Sequence, residues 1–210
     1  MNVLFDLDGT LTDPGDGFVA CVSYALAKLN CRPYADAEIR AHVGPPLEET
    51  LARLLQDPSA VPAAVGFYRE RYASQGFREN AVYPGIEAAL GELRSRGLAL
   101  FVATSKPAVY AERILQHFGL RHFFSAVYGS GLDGTRSGKA QLLAHLLDRE
   151  CLVPAETVMV GDRAQDVAGA LANGMRPVGA LWGYGSREEL AAAGAVTFCE
   201  HPCGLPACLP

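Results

Sequence analysis

No run of apolar residues in this chain approaches the roughly 20 that a membrane-spanning helix requires. The opening run Val3-Leu4-Phe5 meets Asp6 at once, too soon for the apolar stretch of a secretory signal. These absences set the expectation of a cytoplasmic protein with no membrane partner. Basic charge is not in surplus: 18 Lys and Arg stand against 23 Asp and Glu, a net charge of −5. That balance disfavours a nucleic-acid polymer held on a broad cationic face and leaves room for a local basic pocket. Low-complexity tracts and internal repeats are missing. Half of the 210 residues are hydrophobic and 20% are charged, so a folded core is expected, as one domain or one domain with a modest insert. The cysteines, at Cys21, Cys31, Cys151, Cys199, Cys203 and Cys208, include no Cys-x2-Cys pair. Cys199, His201, Cys203 and Cys208 therefore read as a tail with incidental thiols rather than a zinc site.

What is present is an alternation of buried strands and amphipathic helices. Strands are expected at 2–5, 98–103, 123–128, 157–160 and 177–181. Their apolar runs are continuous, as in strands covered on both faces of a parallel sheet. Between them lie helical segments. Ile86 to Arg96 repeats apolar residues at Ile86, Leu90 and Leu93 and stops before Gly97. Pro107 to Phe118 opens on proline, Lys139 to Leu147 repeats leucines at helical spacing, and Ala164 to Asn173 ends before Gly174. Alternation of this kind predicts a doubly wound, mostly parallel α/β core. Residues 14–80 break it with helical periods alone: Phe18, Val22, Ala25, Leu26 and Leu29, then a helix after Pro45-Pro46, then Ala63 to Tyr72. The expected organisation is a core of 1–13 and 81–210 with a helical insert at 14–80.

Ligands of open α/β sheets sit beyond the carboxyl ends of the strands. Asp6 and Asp8 follow the first strand directly, with Gly9-Thr10 behind them. Two carboxylates so close repel unless a cation neutralises them. A lone Asp-Gly would read as a turn, but a pair of aspartates at a buried strand end does not. Thr157 to Val160 likewise runs into Gly161-Asp162, with Asp166 one helical turn on. If these strands are neighbours, four carboxylates converge, and an all-oxygen, strongly negative site suits Mg²⁺. The second strand ends at Thr104-Ser105, whose hydroxyls suit either a phosphate contact or, for Ser105, a plain helix cap. Lys139 at another helix start is an ordinary surface charge by itself, but beside the carboxylates it would neutralise phosphate and nucleophile.

Taken together, Asp6-x-Asp8-Gly9-Thr10, Thr104, Lys139 and Gly161-Asp162-x3-Asp166 resemble, in order, the motifs of the haloacid dehalogenase superfamily of phosphatases. Segments such as Val43-Gly44-Pro45-Pro46-Leu47, Thr104-Ser105-Lys106-Pro107 and Gly183-Tyr184-Gly185 are similar to its phosphoglycolate-phosphatase-like branch, closest to proteins described as 5′-nucleotidases. The resemblance implies that 14–80 is a mobile α-helical cap. It implies Asp6 as nucleophile through an aspartyl-phosphate and Asp8 as general acid and base, with Lys139 completing the catalytic set. Mg²⁺ would be held by the Asp6 carboxylate, the Asp8 main-chain carbonyl and Asp162, with Asp166 behind them orienting metal water or Lys139. Thr104, Ser105 and Gly44, ahead of a cap helix, would bind substrate. A carboxyl at position 8 favours ester hydrolysis over carbon–halogen cleavage. The expected partner is a small phosphorylated metabolite, a nucleoside 5′-monophosphate or phosphoglycolate, for a monomer or homodimer. Phosphomutases share these motifs but need a second phosphate site, and residues 14–80 carry no dense basic cluster for one; His42, Arg40, Arg69 and Arg71 are single candidates for specificity. A non-catalytic binding protein of the same fold is the remaining alternative, disfavoured by the complete motif set.

Overall fold

A computed structural model describes residues 1–55 and 57–209. In chain order it runs β1 (Asn2–Phe5), β2 (Thr12–Asp13), α1 (Gly15–Lys28), α2 (Asp36–Arg40), α3 (Leu47–Leu54), α4 (Val61–Ser74), β3 (Ala81–Val82) and α5 (Ile86–Ser95). It continues with β4 (Ala99–Pro107), α6 (Ala108–His117), β5 (Ala126–Ser130), α7 (Lys139–Arg149), β6 (Thr157–Gly161), α8 (Ala164–Ala172), β7 (Arg176–Ala180), α9 (Arg187–Ala192), β8 (Phe198–Cys199) and α10 (Leu205–Cys208). Two compact units result: Met1–Asp13 with Val82–Pro210, and Pro14–Ala81.

The first unit is built on a six-stranded sheet of order β5-β4-β1-β6-β7-β8, parallel throughout. β1 and β6 are apolar on both faces because the sheet is covered on both sides; Val3, Leu4, Phe5, Val158, Met159 and Val160 are all buried. One core layer joins Leu4, Phe101 and Met159 to Leu142, Leu143 and Leu146 of α7 and Ala170 of α8. The chain winds outward from β1 through β4 to β5, then returns to β6 on the other side of β1. The strand order thus reverses between β1 and β6, where doubly wound sheets open a crevice at their carboxyl ends.

Differences from the sequence-based expectations are local. Residues 121–123 form a 3₁₀ turn, so β5 starts later, after the Ser125 N–H donates to the Leu100 carbonyl (2.8 Å). β4 runs on to Pro107, and Ser105 caps no helix, because Pro107 itself precedes α6. The cysteine-bearing end is no loose tail. Phe198–Cys199 adds the edge strand β8 beside β7, and Leu205 and Leu209 are buried. An unpaired strand edge invites association, and covering it also removes apolar surface from water. The Arg96 guanidinium ties this segment to α5 by donating to the Pro206 carbonyl (2.5 Å). All six cysteines are free thiols. No helix among the described residues is long and apolar enough to cross a membrane.

The second unit is helical. α1 packs along α4, with Phe18 edge-on to Tyr68 (6.1 Å between centroids) and Tyr68 stacked on Tyr72 (5.4 Å). Three of its arginines are engaged by acids of the same unit: Arg71 makes two bonds to Glu79 (2.7 and 2.9 Å), Arg69 reaches Glu48 (3.4 Å), and Arg40 pairs with Asp16. His42 accepts the Thr50 hydroxyl on its carbonyl (3.2 Å).

Candidate active site

The register of the sheet places the strand-end carboxylates. Phe5 lies opposite Val102 of β4 and Val160 of β6, so Asp6 emerges between Ala103 and Gly161. Its N–H donates to the Val160 carbonyl (2.9 Å), which holds its backbone in the sheet. Asp162 leaves β6 one residue further on. Its Oδ1 accepts the Thr10 hydroxyl (3.1 Å) and its Oδ2 the Tyr184 N–H (2.9 Å). Asp166, in the first turn of α8, accepts the Arg163 N–H (3.0 Å). The carboxylates of Asp6, Asp162 and Asp166 converge, with one oxygen from each within 4.8 Å of the others, and all three residues are buried.

Lys139 answers this charge. It starts α7, is 4% exposed, and its Nζ lies 2.9 Å from Asp6 Oδ1, 2.7 Å from Asp166 Oδ1 and 2.9 Å from the Ala103 carbonyl. Burial by itself would push the ammonium down, but the charges of Asp166 and Asp6 outweigh it and hold Lys139 above its ordinary value. Burial, then the charges of Asp166 and Asp6, push the Asp162 carboxyl up to about 8. Burial also raises Asp166, against the opposing pull of Lys139. One lysine among three buried acids leaves negative charge that a cation would neutralise. The donors are all oxygen, which suits Mg²⁺. The local backbone is also shaped around the cluster: Gly9 has φ +90°, and a Cβ there would lie 2.2 Å from Asp162 Oδ2. The residues present therefore fit a divalent cation.

Asp8 stands apart from the expected meeting of four carboxylates. Its side chain turns to Lys106, whose Nζ is 2.9 Å from Oδ2, and burial pushes its carboxyl up against that lysine. Its Oδ1 is buried without a hydrogen-bond partner among the described residues. Thr104 is buried, and its Oγ1 accepts the Lys106 N–H (3.2 Å), which leaves the hydroxyl proton to be donated. Ser105 offers its carbonyl to the Ser130 hydroxyl (2.9 Å). Gly44 belongs to the helical unit, two residues ahead of the Pro46 that caps α3. Thr10, Lys106 and Tyr184, which the sequence offers only inside motif segments, make contacts in the site, and Trp182 enters it unannounced. Trp182 donates its indole N–H to the Thr10 carbonyl (2.9 Å), and the Tyr184 hydroxyl bonds Asp13. Trp182 adjoins the Gly183-Tyr184-Gly185 segment, which lies just beyond β7, at the same end of the sheet as Asp6.

Fold and site together define a doubly wound α/β protein with its carboxylates at the switch point of a parallel sheet. The chain belongs to the haloacid dehalogenase-like hydrolase family, whose model matches residues 3–180, and it is a phosphatase of that family. It is 44% identical over 205 residues to a 5′-nucleotidase of Pseudomonas aeruginosa, covering 97% of this chain and 93% of that protein. A protein of Mycobacterium tuberculosis named tyrosine-protein kinase PtkA is 43% identical over 187 residues, covering 89% of this chain; the chain spans 64% of that protein's length. A solved structure from Clostridium acetobutylicum, described as a predicted phosphatase, superposes with a TM-score of 0.89 at 40% identity, over 94% of this chain and 92% of that one.

Proposed function

We propose that the protein hydrolyses phosphate monoesters of small metabolites, Mg²⁺-dependently and through a phosphorylated Asp6, with nucleoside 5′-monophosphates as its first substrate class. The observation that carries this reading is the buried ammonium of Lys139 between Asp6 and Asp166. The ammonium 2.9 Å from Asp6 Oδ1 offsets the carboxylate's charge in a buried site, at the strand end from which it would attack phosphorus. The substrate class rests on the likeness to the Pseudomonas 5′-nucleotidase.

The Asp6 carboxylate attacks phosphorus as the ester P–O bond breaks, and Asp8 gives its proton to the departing oxygen. Asp8 then takes a proton from the water that attacks the aspartyl-phosphate, which frees phosphate and restores Asp6. Lys139 offsets charge on the nucleophile and the transferring group, while the Thr104 hydroxyl and Ser105 hold phosphate oxygens. The Asp6 and Asp162 carboxylates with the Asp8 main-chain carbonyl would hold Mg²⁺, and Asp166 would orient Lys139. When bound, the cation offsets the repulsion between these carboxylates and the phosphate.

A phosphate-release screen over nucleoside monophosphates, sugar phosphates and phosphoglycolate tests this. Turnover should favour the nucleotides, stop with EDTA, return with Mg²⁺, and vanish in Asp6→Asn at unchanged circular dichroism. Activity retained in Asp6→Asn, or without metal, would overturn the mechanism. A flat profile, or a preference for phosphoglycolate, would overturn the substrate. Phosphotyrosine made from ATP, with no monoester hydrolysed, would replace hydrolysis by kinase chemistry.

A further inference from the structure

Lys106 pairs with Asp8, and an irregularity in β4 puts it there. The register between β4 and β5 slips at this point: Thr104 lies opposite Gly129, yet Pro107 lies opposite Ser130, the very next residue. Ser105 and Lys106 are thus extra residues on β4. Bulges of this sort bend a strand and re-aim a side chain. Three contacts pin the bulge. The Lys106 N–H donates to Thr104 Oγ1 (3.2 Å), and the Ser130 hydroxyl donates to the Ser105 carbonyl (2.9 Å). The third is steric: a Cβ on Gly129 would lie 2.4 Å from the Lys106 carbonyl and 2.7 Å from the Ala108 nitrogen, so only glycine admits the bulged backbone. The side chains of Lys106 and Asp8 are 10% and 18% exposed, enough shielding to strengthen their attraction well above that of a surface pair.

The pair also divides the labour of the two Asp8 oxygens. Oδ2 is held by Lys106 at 2.9 Å. Oδ1 is buried with no hydrogen-bond partner among the described residues. A buried acceptor without a partner is costly, and such groups are kept where function needs them.

We propose that Lys106 is the positioning residue for Asp8: by clamping Oδ2 it fixes the carboxyl plane, so that Oδ1 is the oxygen that exchanges protons with the leaving group. This rests on the reading of Asp8 as proton donor. It predicts that Lys106 matters in proportion to how much the departing oxygen needs a proton.

The test compares kcat/KM, which reports steps up to leaving-group departure, for an alkyl phosphomonoester and for an aryl phosphomonoester with an activated leaving group. General acid catalysis typically contributes about 10²–10⁴-fold. Lys106→Met should therefore lose at least ~10-fold on the alkyl ester and under ~3-fold on the aryl ester, and Lys106→Arg should recover most of the difference. In an Asp8→Asn background, Lys106→Met should add nothing further. Equal losses on both esters, a loss confined to KM, or additive losses in the double variant would overturn the proposal and make Lys106 a phosphate ligand or a structural residue. Should Lys106→Met fail to fold, Lys106→Gln carries the same comparison. Asp8→Asn alone separates the two levels: if its loss is the same on both esters, the donor reading itself fails, whatever Lys106 does.

Discussion

Without a bound cation this protein should become less stable as pH rises, and the effect can be sized from Asp162. Its carboxyl is lifted from 3.8 to about 8 by burial and by the charges of Asp166 and Asp6. Between those values the folded chain keeps a proton that the unfolded chain has released. Stability is therefore greatest below the unfolded value and is lost as pH climbs toward the folded one. About four pH units at ~1.4 kcal/mol each give an upper figure of ~6 kcal/mol, of which ~3 kcal/mol falls between about pH 6 and 8. For a chain of this size that is a fall in Tm of roughly 6–12 °C. Asp8 and Asp166, also raised by burial, act with the same sign. Lys139, raised from an already high value, titrates above this window and adds no slope within it. Mg²⁺ held by the ionised carboxylates, as proposed, would displace the proton, so its stabilising increment should grow over the same interval. The assay is thermal unfolding in EDTA and in excess Mg²⁺ across that range, with Asp162→Asn as the control that removes most of the slope. A Tm in EDTA that stays level or rises with pH, or a Mg²⁺ increment independent of pH, would refute the reasoning.

Other perturbations read other parts of the structure. Lys139→Met leaves the buried Asp6 and Asp166 facing each other, which should cost ~3–5 kcal/mol in denaturant unfolding and at least ~100-fold in kcat. Gly9→Ala places a methyl 2.2 Å from Asp162 Oδ2 at a backbone φ of +90°, so Mg²⁺ affinity by titration calorimetry should drop along with about 1–3 kcal/mol of stability. Tyr184→Phe keeps the N–H that serves Asp162 and deletes only the hydroxyl bonded to Asp13; stability should fall by ~1–2 kcal/mol with kcat nearly unchanged. Leu205→Ala opens a cavity in a fully buried position and should cost ~2–5 kcal/mol by thermal melting, whereas a loose terminal segment would show no change.

The parallel core was legible because its strands are buried on both faces and read as continuous apolar runs, such as Leu98 to Ala103. Helix ends were readable to within a few residues from Gly97 and Gly174, each with positive φ in the structure. Two-residue strands carry no periodicity, so β2, β3 and β8 were invisible, and the edge strand hid within a segment read as a tail. The short α2 was missed for the same reason.

The sequence by itself determined which residues stand at the strand ends: Asp6, Asp8, Thr104 and Asp162 are placed by where apolar runs stop. Only the tertiary structure decided what each one meets. The parallel register sets Asp6 between β4 and β6, and the packing of α7 on that sheet brings Lys139 to it from 133 residues away. Asp8, two residues from Asp6 in sequence, leaves the acidic group because a bulge in β4 offers it Lys106 instead. A side chain's direction follows from register, bulge and neighbour, and those arise only when distant segments pack.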